Sequence, residues 1–537
     1  MTERSERDGS RRDDRGGSGG GRGDRGYRGG SGGGGSRSYR DGDRGYRGGS
    51  GGGRGGDRGY RGGSGGDRGG DRGYRDGERG RSRRVYDDEP RDGLLADLVG
   101  HLHALDGRSY AAYKAIVGRY RAPAGWFLHI DRVQSDPYAP PTRIHVDVPT
   151  DLHGLELLDE ADLLADADRR LAVGDFLTRE LHAGFRGTAL SIASPGQEIL
   201  QRSSIILRPE EKKEGTGWVL EVRARLALPA QGRSIQGHEA SRIVGRDLVR
   251  ELEEAMDLTG ERGDRLVRHV ATLEDHRALT ATVARNGWVA FLADGSVLPR
   301  RSGVSDDPLD GGVPLQAPES MAATVELPHS GTVRGTVVEA GVNVIVGGGY
   351  HGKSTLLSAI ERGVYPHVPG DGREFVATVP DAVKVRAADG RAVTGVDLTP
   401  FISHLPAGRD TASFTTRNAS GSTSQAASII EAVEAGSTAL LLDEDTSATN
   451  LLIRDSRMRE LVAAEREPIT PLVDRITALF RRRGVSTVMV MGGSGDYLDV
   501  ADRVLLMDAY HLRDVTEQAR RVVADQPRPV TELVDFA

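Results

Sequence analysis

Hydrophobic residues are almost absent from the first 84 positions. They recur at helix and strand spacing up to about residue 275, then gather into short β-branched runs separated by helical stretches. Leu94, Leu95, Leu98, Leu102 and Leu105 share one helix face, and Asp106-Gly107 ends that helix. Residues 110–120 read as a second helix. Residues 125–130 and 143–148 read as strands, with a proline-rich loop at 136–141 between them. Residues 155–185 predict helix with a break at Gly174, and residues 200–207 and 218–228 predict strands. A loop at 229–233 precedes a helix over 235–256. This pattern predicts an N-terminal α+β domain over residues 85–275, an ordinary single-domain size. No catalytic constellation stands out in it. His129 and His145 fall on strands and read as packed or exposed residues rather than metal ligands. Arg233 reads equally as an ordinary loop residue or as a contact to phosphate or RNA.

The second half alternates differently. Strand-like pieces at 289–292, 323–327 and 332–338 lead to an apolar run at 342–346, and further strands follow at 374–379 and 383–387. A helical stretch at 425–434 feeds a strand at 438–444, and apolar runs return at 487–491 and 501–507. Alternating strands and helices predict an α/β layer fold over 276–515, with a C-terminal extension at 516–537.

The run at 342–346 is followed by Gly347-Gly348-Gly349-Tyr350-His351-Gly352-Lys353-Ser354-Thr355, which fits G-x-x-x-x-G-K-[ST]. Leu356, Leu357, Ala359 and Ile360 then give a helical rhythm. Strand, glycine loop and helix form the setting this motif needs. The glycines let backbone N–H groups converge on phosphate oxygens, and the helix N-terminus adds a favourable dipole. Lys353 is the candidate for the β- and γ-phosphates and Ser354 for Mg²⁺. The strand at 438–444 ends in Asp443-Glu444. Asp443 at a strand end would hold Mg²⁺, partly through water, and Glu444 would orient or deprotonate the attacking water. Ser420-Gly421 opens the helix before that strand and makes a second candidate phosphate site.

Charge separates the tail from the rest. Residues 1–84 carry about 22 Arg against about 13 Asp and Glu, so the chain's net charge of -7 leaves about -16 for the remainder. Asp-Arg-Gly-Tyr-Arg recurs from Asp24, Asp43, Asp57 and Asp71, and the first lysine is Lys114. With so few apolar groups the segment is expected to be disordered. Arginine offers bidentate phosphate contacts, and Tyr27, Tyr46, Tyr60 and Tyr74 offer stacking surfaces, so the tail resembles the RGG tails of RNA-binding proteins. The alternative is a solvated linker of mixed charge. The chain has no cysteine, which excludes disulfides and thiolate chemistry and fits a cytoplasmic protein. No apolar run is long enough to cross a membrane, and the N-terminus lacks the apolar core of a signal peptide.

The loop at 347–355, the run Ser420-Gly421-Ser422-Thr423-Ser424-Gln425 and the stretch Asp443–Asn450 together resemble the family called predicted ATPases of the ABC class. The stretches 298–305, 370–375 and 501–507 look like further family segments, so the resemblance covers roughly 90–525 and not the tail. It implies a soluble ABC-type P-loop NTPase core with an added N-terminal domain, binding ATP with Mg²⁺. It also implies a homodimer with two ATP molecules sandwiched between facing cores, Ser420 and Gly421 reaching the γ-phosphate held by the other subunit. Some members look tied to RNA handling. Three features depart from ordinary ABC ATPases. The signature reads Ala-Ser-Gly-Ser-Thr, Gly492-Gly493-Ser494 stands where a histidine is expected, and no aromatic lies between Phe291 and Tyr350 to stack on adenine. The glutamine-loop position falls near 401–404 without a clear residue. The leading expectation is therefore an RNA-associated ATPase that opens and closes as a dimer. A binding module holding ATP structurally, or slowly hydrolysed, is the alternative. A DNA-repair ATPase of the same superfamily would need long coiled coils, which the heptad pattern does not provide. A transporter subunit does not fit a chain with its own added domain and tail.

Overall fold

The computed structural model describes residues 91–525 apart from 213–214, 406–407, 409, 455–460 and 463–465. The Arg/Gly-rich tail and residues 526–537 lie outside the described residues. Alternating burial builds the first sheet. Its path runs through Arg91–Leu94, Gly118–Arg121, Phe127–Arg132, Thr142–Pro149 and Gly215–Leu226, and the last of these also pairs with Leu190–Ser191 and Ile205–Lys212. Leu128, Ile130, Ile144, Val146 and Val222 join one buried core with residues of the helices Leu95–Ala104, Ala167–Gly184 and Leu248–Met256. Strand register sets Arg119, His129, His145 and Arg223 in a row across the opposite face.

Two segments depart from the predicted pattern. Residues 110–120 are a 3-10 turn, Tyr110–Ile116, and then the strand Gly118–Arg121, which pairs in parallel with Arg91–Leu94. Gly118 has φ +154°, and a Cβ there would lie 2.3 Å from the Arg91 carbonyl oxygen, so only glycine permits the approach. The break in the next helical segment falls before residue 167 rather than at Gly174. Asp162 turns at φ 53°, and the Asp166 side chain accepts the Arg169 N–H to cap Ala167–Gly184. Gly174 lies inside that helix, where a Cβ would sit 3.6 Å from the Ile205 carbonyl oxygen.

The 26-residue helix Gly260–Arg285 links the halves of the described chain. Leu266, Val270 and Leu273 belong to the first core, whereas Leu279 and Val283 belong to the next. Burying each such side chain stabilises by roughly 1.5–3 kcal/mol. Beyond the helix, Ala322–Leu327, Gly331–Glu339, Trp288–Ala293 and Val376–Thr378 form an antiparallel sheet in that order. A second sheet runs Val383–Val385, Ala439–Asp443, Ser486–Val490, Val342–Val346, Arg503–Asp508 and His511–Asp514. Its pairings are parallel except the last. Buried parallel strands read as continuous apolar runs because both faces are covered. Ile345, Leu441 and Val488 face one core, and Val344, Leu440 and Met489 face the other. Among the described residues no helix is long and apolar enough to cross a membrane.

The halves also meet through loops. Ile199 N–H donates to the Pro366 carbonyl at 2.7 Å, and Val368 N–H donates to the Gln197 carbonyl at 2.9 Å. Glu198 pairs with Arg362, the last residue of the helix Lys353–Arg362 that follows the glycine loop.

Candidate active site

The parallel sheet brings three strand ends side by side. Val342–Val346 runs into the glycine loop, Ser486–Val490 into Gly492-Gly493, and Ala439–Asp443 into Glu444. Ser486–Val490 lies between the other two. Ligands of open α/β sheets bind at such carboxyl ends.

Local sterics shape the loop. Gly347 has φ +145°, and a Cβ there would meet the Met507 carbonyl oxygen at 2.3 Å. Gly352 has φ +100° and begins the helix Lys353–Arg362. Gly348, Gly349 and Tyr350 are exposed at the loop crest, and Tyr350 itself takes φ +63°. His351 ties the loop to the turn after Arg503–Asp508. Its Nδ1 accepts the Ala509 N–H at 3.2 Å, and its carbonyl accepts the Tyr510 N–H at 3.1 Å. Lys353 Nζ donates to the Gly347 and Gly348 carbonyls at 2.9 and 3.0 Å. Ser354 and Thr355 occupy the first turn of the helix, with Ser354 exposed.

The Glu444 carboxylate accepts the N–H groups of Gly492 and Gly493 at 2.5 and 2.9 Å. A Cβ on Gly492 would lie 3.6 Å from that carboxylate and 3.9 Å from Lys353 Nζ, so the two charged groups flank one glycine. The residues standing where a histidine was expected therefore hold the candidate base through their backbone. Asp443 is buried, and its Oδ1 accepts the Asp445 N–H at 3.3 Å. A hydroxyl and one buried carboxylate, together with phosphate oxygens and water, make the hard-oxygen donor set of Mg²⁺. Ser354 and Asp443 fit that ion by their chemistry.

Ser420 caps the helix Gly421–Glu434, its hydroxyl accepting the Thr423 N–H. The helix start is pinned by Ala388 N–H donating to Ser424 Oγ at 2.9 Å and Gly390 N–H donating to the Ala419 carbonyl at 2.8 Å. Gln425 on this helix is fully buried. Its Nε2 donates to Ser447 Oγ at 2.9 Å, and its Oε1 accepts the Ala448 N–H at 2.8 Å. Ser447 Oγ in turn donates to the Asp443 carbonyl at 2.8 Å. Among the described residues no hydrogen bond or ion pair joins Ser420 or Gly421 to the glycine loop.

Tyr510 is the residue that sequence reasoning missed. Ala509 and Tyr510 both take positive φ, +47° and +68°, in the two-residue turn joining Arg503–Asp508 to His511–Asp514. Such backbone strain in non-glycine residues persists only where the surroundings impose it. The turn lays the Tyr510 ring against Gly352, where a Cβ would meet Cδ1 at 2.8 Å, and leaves the residue 39% exposed. An aromatic beside the loop is therefore available, but about 160 residues downstream of the loop in sequence rather than upstream. No spacing rule would have found it.

The profile of the ABC_ATPase family, a P-loop domain, matches residues 262–535. The chain belongs to the ATPases of the ABC class. A second profile of that class, for its N-terminal domain, matches residues 95–258. The core is thus an ABC-type P-loop NTPase fold, and the chain carries the N-terminal domain of its class. An uncharacterized protein of Methanocaldococcus jannaschii is 27% identical over 263 residues, covering 44% of this chain and 58% of the relative. The chain therefore spans less than two thirds of the length of that curated relative. Solved structures that are similar include cbiO1 from Clostridium perfringens, part of the ABC transporter complex cbiONQ. It is 12% identical, with TM-score 0.27 over 45% of this chain and 96% of that one. A chain of an ABC transporter described as of metal-chelate type, in an inward-facing conformation, is 15% identical. Its TM-score is 0.24 over 34% of this chain and 75% of that one.

Proposed function

We propose that this chain binds and hydrolyses ATP at the glycine loop, that two copies close on the nucleotide, and that the cycle serves RNA binding or processing. The observation that carries the first part is the convergence of Lys353 and Glu444 on Gly492, at the carboxyl ends of adjacent parallel strands. In this reading the loop N–H groups cradle the phosphates, and Lys353 exchanges its two carbonyl partners for β- and γ-phosphate oxygens. Ser354 and Asp443 would hold Mg²⁺, which when bound neutralises charge on those oxygens. Glu444 orients a water for in-line attack and takes its proton, while the bond from the γ-phosphorus to the bridging oxygen breaks and ADP leaves. Tyr510 offers its ring to the adenine.

The dimer rests on the family resemblance and on one observation. Ser420 and Gly421 present a capped helix start without reaching their own glycine loop, as a γ-phosphate contact made to a second copy requires. The link from Gln425 through Ser447 to Asp443 would tie that helix start to the metal-binding strand end. RNA enters through the tail's composition, with Arg–phosphate contacts and Tyr–base stacking to single strands. Phosphate release from Mg-ATP by the full chain, with and without single-stranded RNA, tests the proposal. Turnover that disappears in Lys353→Ala is expected. A full chain with no turnover in either condition would overturn the hydrolytic reading.

A further inference from the structure

The face of the first sheet turned away from its core carries a group of side chains the ATP site does not use. His129 and His145 are directly opposed on neighbouring strands, and Asp147 lies two residues beyond His145 on the same face. Each offers one ligand atom, and the three atoms lie within 4.8 Å of one another. The imidazole rings are stacked, 4.1 Å between centroids and 11° between planes, so one ring must turn about its Cβ–Cγ bond for both in-plane lone pairs to meet one ion. His129 Nε2 is 3.3 Å from Asp147 Oδ2. We propose that His129, His145 and Asp147 form a binding site for a divalent transition-metal ion of the zinc type, built by strand register on the N-terminal domain.

Three observations carry this. First, Asp147 Oδ1 is buried and lacks a hydrogen-bond partner, and the buried His129 Nε2 has the Asp147 carboxylate at 3.3 Å without hydrogen-bond geometry. Buried polar atoms are almost always paired, and orphans of this kind mark an ion or water that completes them. Second, the spacing suits the ion. A tetrahedral ion with bonds of about 2.0–2.1 Å sets its ligand atoms about 3.3 Å apart, and the three ligand atoms already lie within 4.8 Å of one another. Third, the ligands are oriented from outside. His145 Nδ1 donates to Asp131 at 2.9 Å, which leaves its Nε2 lone pair free for a metal. A carboxylate behind a ligating imidazole fixes its tautomer and raises its basicity.

Two of the neighbouring arginines already have carboxylate partners. Arg208 already holds Asp147 Oδ2 at 2.9 Å and leaves Oδ1 unpaired, while Arg223 is taken up by Glu221 at 2.6 Å. Two imidazoles and one carboxylate select zinc, nickel or copper over magnesium or calcium, which prefer all-oxygen shells. A cleft of about 840 Å³, lined by His145, Asp131 and Arg143 among others, opens beside His145.

The test is a titration of Zn²⁺ into metal-stripped full chain against a chromophoric competitor, with Co²⁺ as a spectroscopic substitute. One saturable equivalent per chain is expected, together with the intense visible bands of four-coordinate Co²⁺. His129→Ala and His145→Ala should each weaken Zn²⁺ at least about 30-fold. Asp131→Asn touches only the back of the His145 ring and should weaken it about tenfold without moving the melting temperature of the metal-free protein. A wild-type chain that takes up no saturable equivalent overturns the site. So does a folded His145→Ala variant that binds as wild type. Should the histidine variants not fold, Zn²⁺ affinity unchanged in Asp131→Asn overturns it instead.

Discussion

Lys353 spends its ammonium on two carbonyls of its own loop, so its charge stays at the loop mouth rather than in a salt bridge. A charge-assisted bond of this kind is worth about 1.5–3 kcal/mol. Lys353→Ala should therefore weaken ATP binding about 10- to 100-fold, read by calorimetry. Binding within threefold of wild type would remove Lys353 from the site. Tyr510 makes a separate prediction, since its ring sits against Gly352 of the loop. Base stacking on an aromatic is worth about 1–3 kcal/mol. Tyr510→Ala should weaken ATP and ADP equally, by roughly tenfold, whereas Tyr510→Phe should retain affinity. Equal losses in both variants would assign the effect to the hydroxyl and not to stacking.

At the scale of elements, the strands and helices that carry apolar periodicity were legible. Val342–Val346 was readable to the residue, because a buried parallel strand is apolar throughout and the glycines end it abruptly. Tyr110–Tyr120 was misread because Tyr110, Tyr113 and Ile116 share a helix face, while the strand that follows depends on Gly118 meeting the Arg91 backbone. Tyr510, the hold of Gly492 and Gly493 on Glu444, and the pairing of His129 with His145 were not legible. Each depends on which strands become neighbours and in what register. The long helix Gly260–Arg285 gives a prediction of its own. His276 on it is buried and donates to the Gly363 carbonyl at 3.2 Å, just beyond the helix that starts at Lys353. Burial lowers its pKa from 6.5 to about 4. The unfolded chain takes up a proton at this residue near pH 6.5 and the fold does not, so its contribution is complete above that pH and is lost as pH falls towards 4. By pH 5 the loss is about 2 kcal/mol. Denaturation midpoints at pH 7.5 and pH 5 should converge more closely in His276→Gln than in wild type. Identical pH dependence in both would contradict this.

At the scale of the whole molecule, we propose that two copies close on ATP. Deleting residues 1–84 should leave ATP turnover intact and weaken binding to single-stranded RNA, with a steep salt dependence in the full chain. Two tails on one dimer would add avidity, so the difference should widen when ATP is present. Equal RNA affinity with and without the tail, at two salt concentrations, would leave the tail without that role. The central claim is tested most directly by the mass of Glu444→Gln in solution, measured by light scattering with and without saturating Mg-ATP. The amide keeps the side chain's shape and cannot take the proton, so bound ATP should persist and hold Ser420 and Gly421 of each copy against the other's nucleotide. A doubling of mass on adding Mg-ATP is expected, and a variant that binds ATP yet stays monomeric would contradict the account.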